Sequence, residues 1–171
     1  MGSGAEGQRI NANAKPSLDA HPLIRTRAAE WNLDTNRIGV MGFSAGGEVA
    51  AMLIYSPTAG DPDSKDPVER LDCHSDFQIV IYPGPLGIPE QIPSNAPPAF
   101  FVVANDDNSH VGPVLAQIEK YRQVRRPVEV HLYARGGHGF NLGRRSKYSS
   151  IKGWPQRMTE WMEDSGFISN H

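Results

Sequence analysis

The chain has a single cysteine, Cys73, so no internal disulfide can form, and with only His74 beside it there is no zinc-finger spacing. Its expected place is that of a small, half-buried hydrophobe. Positive charge is not in surplus either. The 17 Lys plus Arg stand against 19 Asp plus Glu, the formal net charge is -2, and no block of like charge forms an arm for a polyanion. Nucleic acid is therefore not an expected partner. No apolar run approaches the ~18 residues of a membrane span. The longest, Pro97 to Asn105, is strand-sized, so a membrane is not an expected partner either. The start, Met1-Gly2-Ser3-Gly4, lacks the basic and then apolar blocks of a secretory signal and carries no fold information, and the compartment stays open.

What is present is length and punctuation. With 171 residues, 39% of them hydrophobic, the chain suffices for one domain and falls short of two. Its 17 Gly and 14 Pro cut it into elements without forming low-complexity tracts. Residues 1–20 read as an irregular lead-in and 21–168 as one core. Leu23, Ile24, Ala28 and Trp31 mark one face of a helix that Pro22 can start. Arg37 to Phe43 is an apolar run without alternation, as expected of a strand covered on both faces. Ala45 to about Ser56 follows as a helix, with Val49, Met52 and Leu53 at helical spacing and Pro57 as its stop.

Residues 57–75 are too polar for a core element and read as a loop. Phe77–Tyr82 and Ala99–Ala104 are strands two and three. A helix follows Pro113, and Pro127–Tyr133, which alternates more, is a fourth strand nearer an edge. Trp154, Met158, Trp161 and Met162 mark a closing helix with Pro155 near its start. Strands alternating with helices imply an α/β fold with a parallel sheet layered between helices.

In such a sheet, reactive groups gather at the carboxyl ends of the strands. Gly42-Phe43-Ser44-Ala45-Gly46 is a G-x-S-x-G between a strand and a helix. There the glycines on either side relieve a sharp turn that projects the Ser44 hydroxyl, and the Ala45 amide is free to bind an oxyanion. The plain alternative is a helix-capping serine with turn glycines. A serine hydroxyl needs a neighbouring imidazole to take its proton. His138, in Gly136-Gly137-His138-Gly139-Phe140 after the fourth strand, fits that role. His21, His74 and His171 lie away from the crevice, His131 lies within a strand as an ordinary packed histidine, and His110 is the rival. An acid from the loop after the third strand would orient the imidazole. Asp106 and Asp107 are both there, and at least one of them is an ordinary loop or capping carboxylate. The order Ser, Asp, His along the chain is that of the α/β hydrolases. This chemistry needs no cofactor and no metal.

Several segments together resemble a known family. Leu18-Asp19-Ala20, Ile24-Arg25, Arg27 to Trp31, Asn36 to Gly47, Asp76-Phe77 to Gly84, Ala96 to Phe101, Tyr133 to Phe140, Trp154-Pro155 and Trp161-Met162 look like the BD-FAE-type esterases of the α/β-hydrolase superfamily, relatives of acetyl xylan esterases and dienelactone hydrolases. The resemblance covers about residues 18–168. It implies Ser44 as nucleophile, His138 as base, and the second aspartate, Asp107, as the acid. Three departures stand out: Asn108-Ser109-His110-Val111 runs one residue longer than the family pattern, Glu48 replaces a usual His, and Pro22 interrupts a usually continuous helix.

The front of the chain departs most. Only 43 residues precede Ser44, no HGGG-type segment is among them to give a second oxyanion amide, and Gly2 to Gly7 is a poor substitute. The expected fold is thus an α/β-hydrolase three-layer sandwich shortened to about four parallel strands. The Ser44 strand would lie at an edge, to be covered by a second copy in a homodimer, by residues 1–20, or by a separate fragment. Three functions follow. The first is a serine carboxylesterase working through an acyl-enzyme on short acyl or acetyl esters, including those of carbohydrates. The second is a weakly active or inactive scaffold for binding or assembly, and the third is a serine peptidase like prolyl oligopeptidase.

Overall fold

A computed structural model describes residues 20–169, so nearly all of the expected 1–20 lead-in, with Gly2 to Gly7, lies outside the described residues. Helix α1 is described over residues 20–26. After it come β1 (Val40–Phe43), α2 (Ala45–Tyr55), β2 (Gln78–Ile81), β3 (Ala99–Ala104), α3 (Val111–Gln123), β4 (Val128–Tyr133), α4 (Ser149–Lys152) and α5 (Trp154–Asp164). The four strands form one parallel sheet in the order β1-β2-β3-β4, with Val40 opposite Gln78, Gln78 opposite Ala99, and Ala99 opposite Val128.

Composition explains the layering. β3 is Ala-Phe-Phe-Val-Val-Ala, and all six residues are buried, because a central parallel strand meets helices on both faces. Phe100 and Phe101 point to opposite faces. Phe100 meets Trp161 of α5 at 5.4 Å between ring centroids, whereas Phe101 meets Tyr121 of α3 at 6.2 Å, and Tyr121 in turn meets Tyr55 of α2 at 6.4 Å. Helices α2 and α3 therefore cover one face and α5 the other. On the α2/α3 side the buried Gln78 side chain donates to the hydroxyls of Tyr55 and Tyr121, and the Tyr55 hydroxyl donates to Gln117 Oε1 at 3.0 Å. A glutamine can thus sit inside an otherwise apolar strand.

Four expectations from the sequence need correction. The first strand begins at Val40, not Arg37, because the Ile38 amide donates to Asp76 Oδ2 at 2.8 Å and Gly39 lies flat against the Phe77 ring, where a Cβ would come within 2.3 Å of it. Nor is that strand covered on both faces, since Met41 is 41% exposed, although it does lie at the sheet edge as expected. The face assigned to the first helix is not a buried face. Only Ala28 of the named residues is buried, while Leu23 and Trp31 stand in solvent with the Arg27 guanidinium over the Trp31 ring. Finally, Cys73 is fully buried, and its sulfur accepts from the Thr58 amide at 2.9 Å and hydroxyl at 3.2 Å.

The shared strand direction has one consequence for chemistry. All four carboxyl ends open on the same side, so Ser44 after β1, Tyr82 after β2, Asp106 and Asp107 after β3, and the Gly136–Gly139 loop after β4 converge there.

Candidate active site

Ser44 sits between β1 and α2 with φ 52° and ψ -123°, a backbone conformation that side chains rarely adopt. The strain is held in place by packing. A Cβ on Gly42 would lie 2.2 Å from the Gly46 carbonyl oxygen, so only glycine lets the turn close. Gly46 itself faces open space, so one of the two flanking glycines, not both, is needed sterically. The carbonyl of Ser44 accepts from the amides of Gly47 and Glu48, while the Ala45 amide, in the first turn of α2, has no acceptor among the described residues. It is available to a developing negative charge at the positive end of the helix.

His138 reaches Ser44 from the loop after β4. Its Nε2 lies 2.8 Å from Ser44 Oγ, and its Nδ1 donates to Asp107 Oδ2 at 2.7 Å. The two glycines around it, Gly137 at φ 61° and Gly139 at φ 78°, give the loop the left-handed turns that lift the ring to the serine. Because an ionised carboxylate only accepts, Asp107 fixes the Nδ1–H tautomer and leaves the Nε2 lone pair facing the serine hydroxyl.

The two aspartates divide their work. Asp107 is 6% exposed and turns both oxygens inward, whereas Asp106 is exposed and its Oδ1 accepts from the Gly136 and Gly137 amides at 2.9 and 2.8 Å. Asp107 touches the imidazole, and Asp106 ties down the loop that carries it. Burial, the largest influence on the Asp107 carboxyl, pushes its pKa up, but hydrogen bonds and charge interaction with His110 and His138 outweigh burial and hold it below the ordinary value.

Two further residues had no assigned part in the sequence reading. His110, considered only as a rival base, donates from Nδ1 to Asp107 Oδ1 at 2.7 Å and stacks on His138 with centroids 3.9 Å apart. Tyr82, with φ 39°, stands edge-on to both His138 and Phe140 at 4.7 Å, accepts from the Asn141 amide at 3.1 Å and donates to the Asn141 side chain at 3.2 Å. Its place at the end of an apolar strand, just before Pro83, was the only signal in the sequence. Burial, chiefly, raises the Tyr82 hydroxyl above its ordinary pKa and keeps it a neutral donor. Glu48, the departure after the elbow, turns to the Leu86 amide at 3.2 Å and steadies the loop after β2.

Among the described residues, Asp107, His110 and His138 are the group that brings three metal-ligand atoms within 4.8 Å of one another. Both Nδ1 atoms already donate to the carboxylate, so the cluster is complete as a hydrogen-bonded unit. No helix of the described residues is long and apolar enough to cross a membrane.

A parallel sheet between helices, with a strained serine at a strand-to-helix turn and a histidine and an aspartate from later strand ends, is the α/β-hydrolase fold. Comparison with known proteins narrows this, and the resemblance to the BD-FAE esterases holds: residues 19–80 match the BD-FAE family model. An acetylxylan esterase of Xylanibacter ruminicola is 30% identical over an alignment 148 positions long, which covers 74% of this chain and 30% of that protein. The crystal structure of an acetyl ester-xyloside bifunctional hydrolase from Caldicellulosiruptor lactoaceticus superposes with a TM-score of 0.80 at 30% identity, over 88% of this chain and 64% of that one. The carboxylesterase Cest-2923 of Lactobacillus plantarum shares the fold with a TM-score of 0.73 at 20% identity, over 89% of this chain and 67% of that one. The chain thus spans under a third of the curated relative and just under two thirds of the Caldicellulosiruptor enzyme.

Proposed function

We propose that the protein is a serine carboxylesterase that cleaves short acyl esters, acetyl esters of carbohydrate foremost, through an acyl-enzyme. The observation that carries this reading is the continuous chain of hydrogen bonds from Ser44 Oγ to His138 Nε2 and from His138 Nδ1 to Asp107 Oδ2, at 2.8 and 2.7 Å. Ser44 Oγ attacks the ester carbonyl carbon while its proton passes to His138 Nε2, and Asp107 stabilises the imidazolium that forms. The Ala45 amide donates to the oxyanion. His138 then returns the proton to the leaving alkoxide, which departs as the alcohol and leaves the acyl group on Ser44. Water, deprotonated by the same Nε2, attacks the acyl carbon; the bond from that carbon to Ser44 Oγ breaks, the imidazolium returns its proton to Oγ, and the carboxylic acid is released.

The acetyl preference is supported by the relatives named above, an acetylxylan esterase and an acetyl ester-xyloside hydrolase. The free edge of β1 belongs to the same proposal, with a second copy of the chain as its cover. The test is hydrolysis of p-nitrophenyl acetate by the wild type and by Ser44→Ala. The proposal expects at least a 10³-fold loss in kcat for the variant. Equal rates exclude Ser44 as nucleophile. No turnover by the wild type favours the scaffold reading, and cleavage of peptides but not esters favours the peptidase.

A further inference from the structure

The loop that follows His138 carries a feature the ester chemistry does not use. From Val130 to Thr159 there is no Asp or Glu, while Arg135, Arg144, Arg145, Lys147, Lys152 and Arg157 fall in the same stretch of a chain whose net charge is -2. Three other exposed arginines, Arg37, Arg122 and, at the end of this stretch, Arg157, each pair with a carboxylate three residues away. Arg144 and Arg145 have no such neighbour in the sequence, and neither is in an ion pair among the described residues. Both line a concavity of about 560 Å³, within the range of small-molecule sites, whose other walls include Gly136, Gly139, Phe140 and Leu142. Ser44 is not on its lining, whereas Gly136 and Gly139, on either side of Gly137 and His138, are.

The loop is built to hold its shape. The Gly143 amide donates to the Phe140 carbonyl at 2.8 Å and the Ser146 amide to the Gly143 carbonyl at 2.9 Å, so two successive turns present the arginines. Gly143, at φ 72°, lies so close to Ile151 that a Cβ would come within 2.4 Å of its carbonyl oxygen. Upstream, Asn141 is fixed by Tyr82 on one side and by the Trp154 indole N–H, which donates to its carbonyl at 2.8 Å, on the other. Two unpaired guanidinium groups on a pinned loop, above apolar walls, suit a planar anion carried on a ring. We infer that this concavity is an anion subsite that takes a carboxylate-bearing substituent, such as an acidic sugar, on the ester substrate. The inference rests on the esterase reading, because the subsite matters to turnover only if His138 and Ser44 act on the same molecule.

The experiment compares acetate release from acetylated xylo-oligosaccharides bearing a glucuronic acid side group with release from the same material after its carboxyl has been reduced to an alcohol. The wild type is expected to favour the acidic substrate in kcat/KM by about tenfold at low salt, the size of one charge-assisted hydrogen bond at a partly exposed site. That ratio should fall toward one in Arg144→Gln/Arg145→Gln and at high salt, and stay unchanged in Arg122→Gln, whose partner is Glu119. A wild-type ratio at or below one, or a ratio the double substitution does not move, overturns the inference. Failure of the esterase reading looks different: no acetate is released from either substrate. A second readout then remains. Ser44→Ala, titrated calorimetrically with the two deacetylated oligosaccharides, should bind the acidic one more tightly; equal binding, or tighter binding of inorganic phosphate, counts against a carboxylate site.

Discussion

Asp106 and Asp107 are adjacent in sequence and opposite in consequence, and their separate replacement by alanine tests the geometry in detail. Asp107→Ala removes the group that fixes the His138 tautomer, leaves the His110 Nδ1–H without its acceptor, and takes away the negative charge that would stabilise an imidazolium. In a serine–histidine–acid relay, losing the acid costs ~10³ to 10⁴ in kcat, or about 4 to 5.5 kcal/mol of barrier. Asp106→Ala removes two hydrogen bonds to exposed glycine amides that water can reach, so each costs about 0.5 to 1.5 kcal/mol. The loop loosens and the expected loss is roughly 5- to 150-fold. The two variants should therefore differ by about two orders of magnitude in kcat/KM for p-nitrophenyl acetate, with thermal unfolding measured alongside to show that both are folded. A folded Asp106→Ala that loses as much activity as Asp107→Ala, or more, would refute the assignment.

Other expectations follow from the same contacts. Gly42→Ala should destabilise the protein by about 3 kcal/mol in urea unfolding, since the new Cβ meets the Gly46 carbonyl, whereas Gly46→Ala, which faces open space, should leave stability unchanged or raise it. The folded pKa of Asp107 is depressed, so its contribution to stability is present above the unfolded value near 3.9 and is lost as pH falls through the lower folded value. In denaturation curves taken below about pH 4, Asp107→Asn should flatten that acid slope. His110→Phe, which keeps a ring against His138 but removes one hydrogen bond to the carboxylate, should move the slope to higher pH. Light scattering should return twice the 18.8 kDa mass of one chain, and a strict monomer would contradict the second copy proposed against β1.

The sequence exposed some of these features more plainly than others. Ala99–Ala104 announces a central strand because six apolar residues in a row fit no surface, and the glycines around Ser44 and His138 announce turns because most of them sit at conformations or contacts a side chain forbids. The extent of β1 and the exposure of Trp31 were hidden, because periodicity shows which residues are apolar and not what lies against them. The division of labour between Asp106 and Asp107 is a matter of which way two adjacent side chains turn at the end of β3, and spacing alone does not carry it. The stacking of His110 on His138 and the bonding of Tyr82 to Asn141 span 28 and 59 residues and leave no local pattern to read, although His110 also bonds Asp107 three residues before it.

The central claim is that Ser44 is activated by His138. Its most direct measurement is the reaction of the intact protein with an alkyl fluorophosphonate, in which the serine oxygen bonds to phosphorus, fluoride leaves, and the proton passes to the base. Peptide mass spectrometry should find one phosphonyl group on the peptide holding Ser44 in the wild type, and the labelling rate should fall by ~10² to 10⁴ in His138→Ala. Labelling of another serine, or labelling of Ser44 at the same rate without His138, would contradict the account.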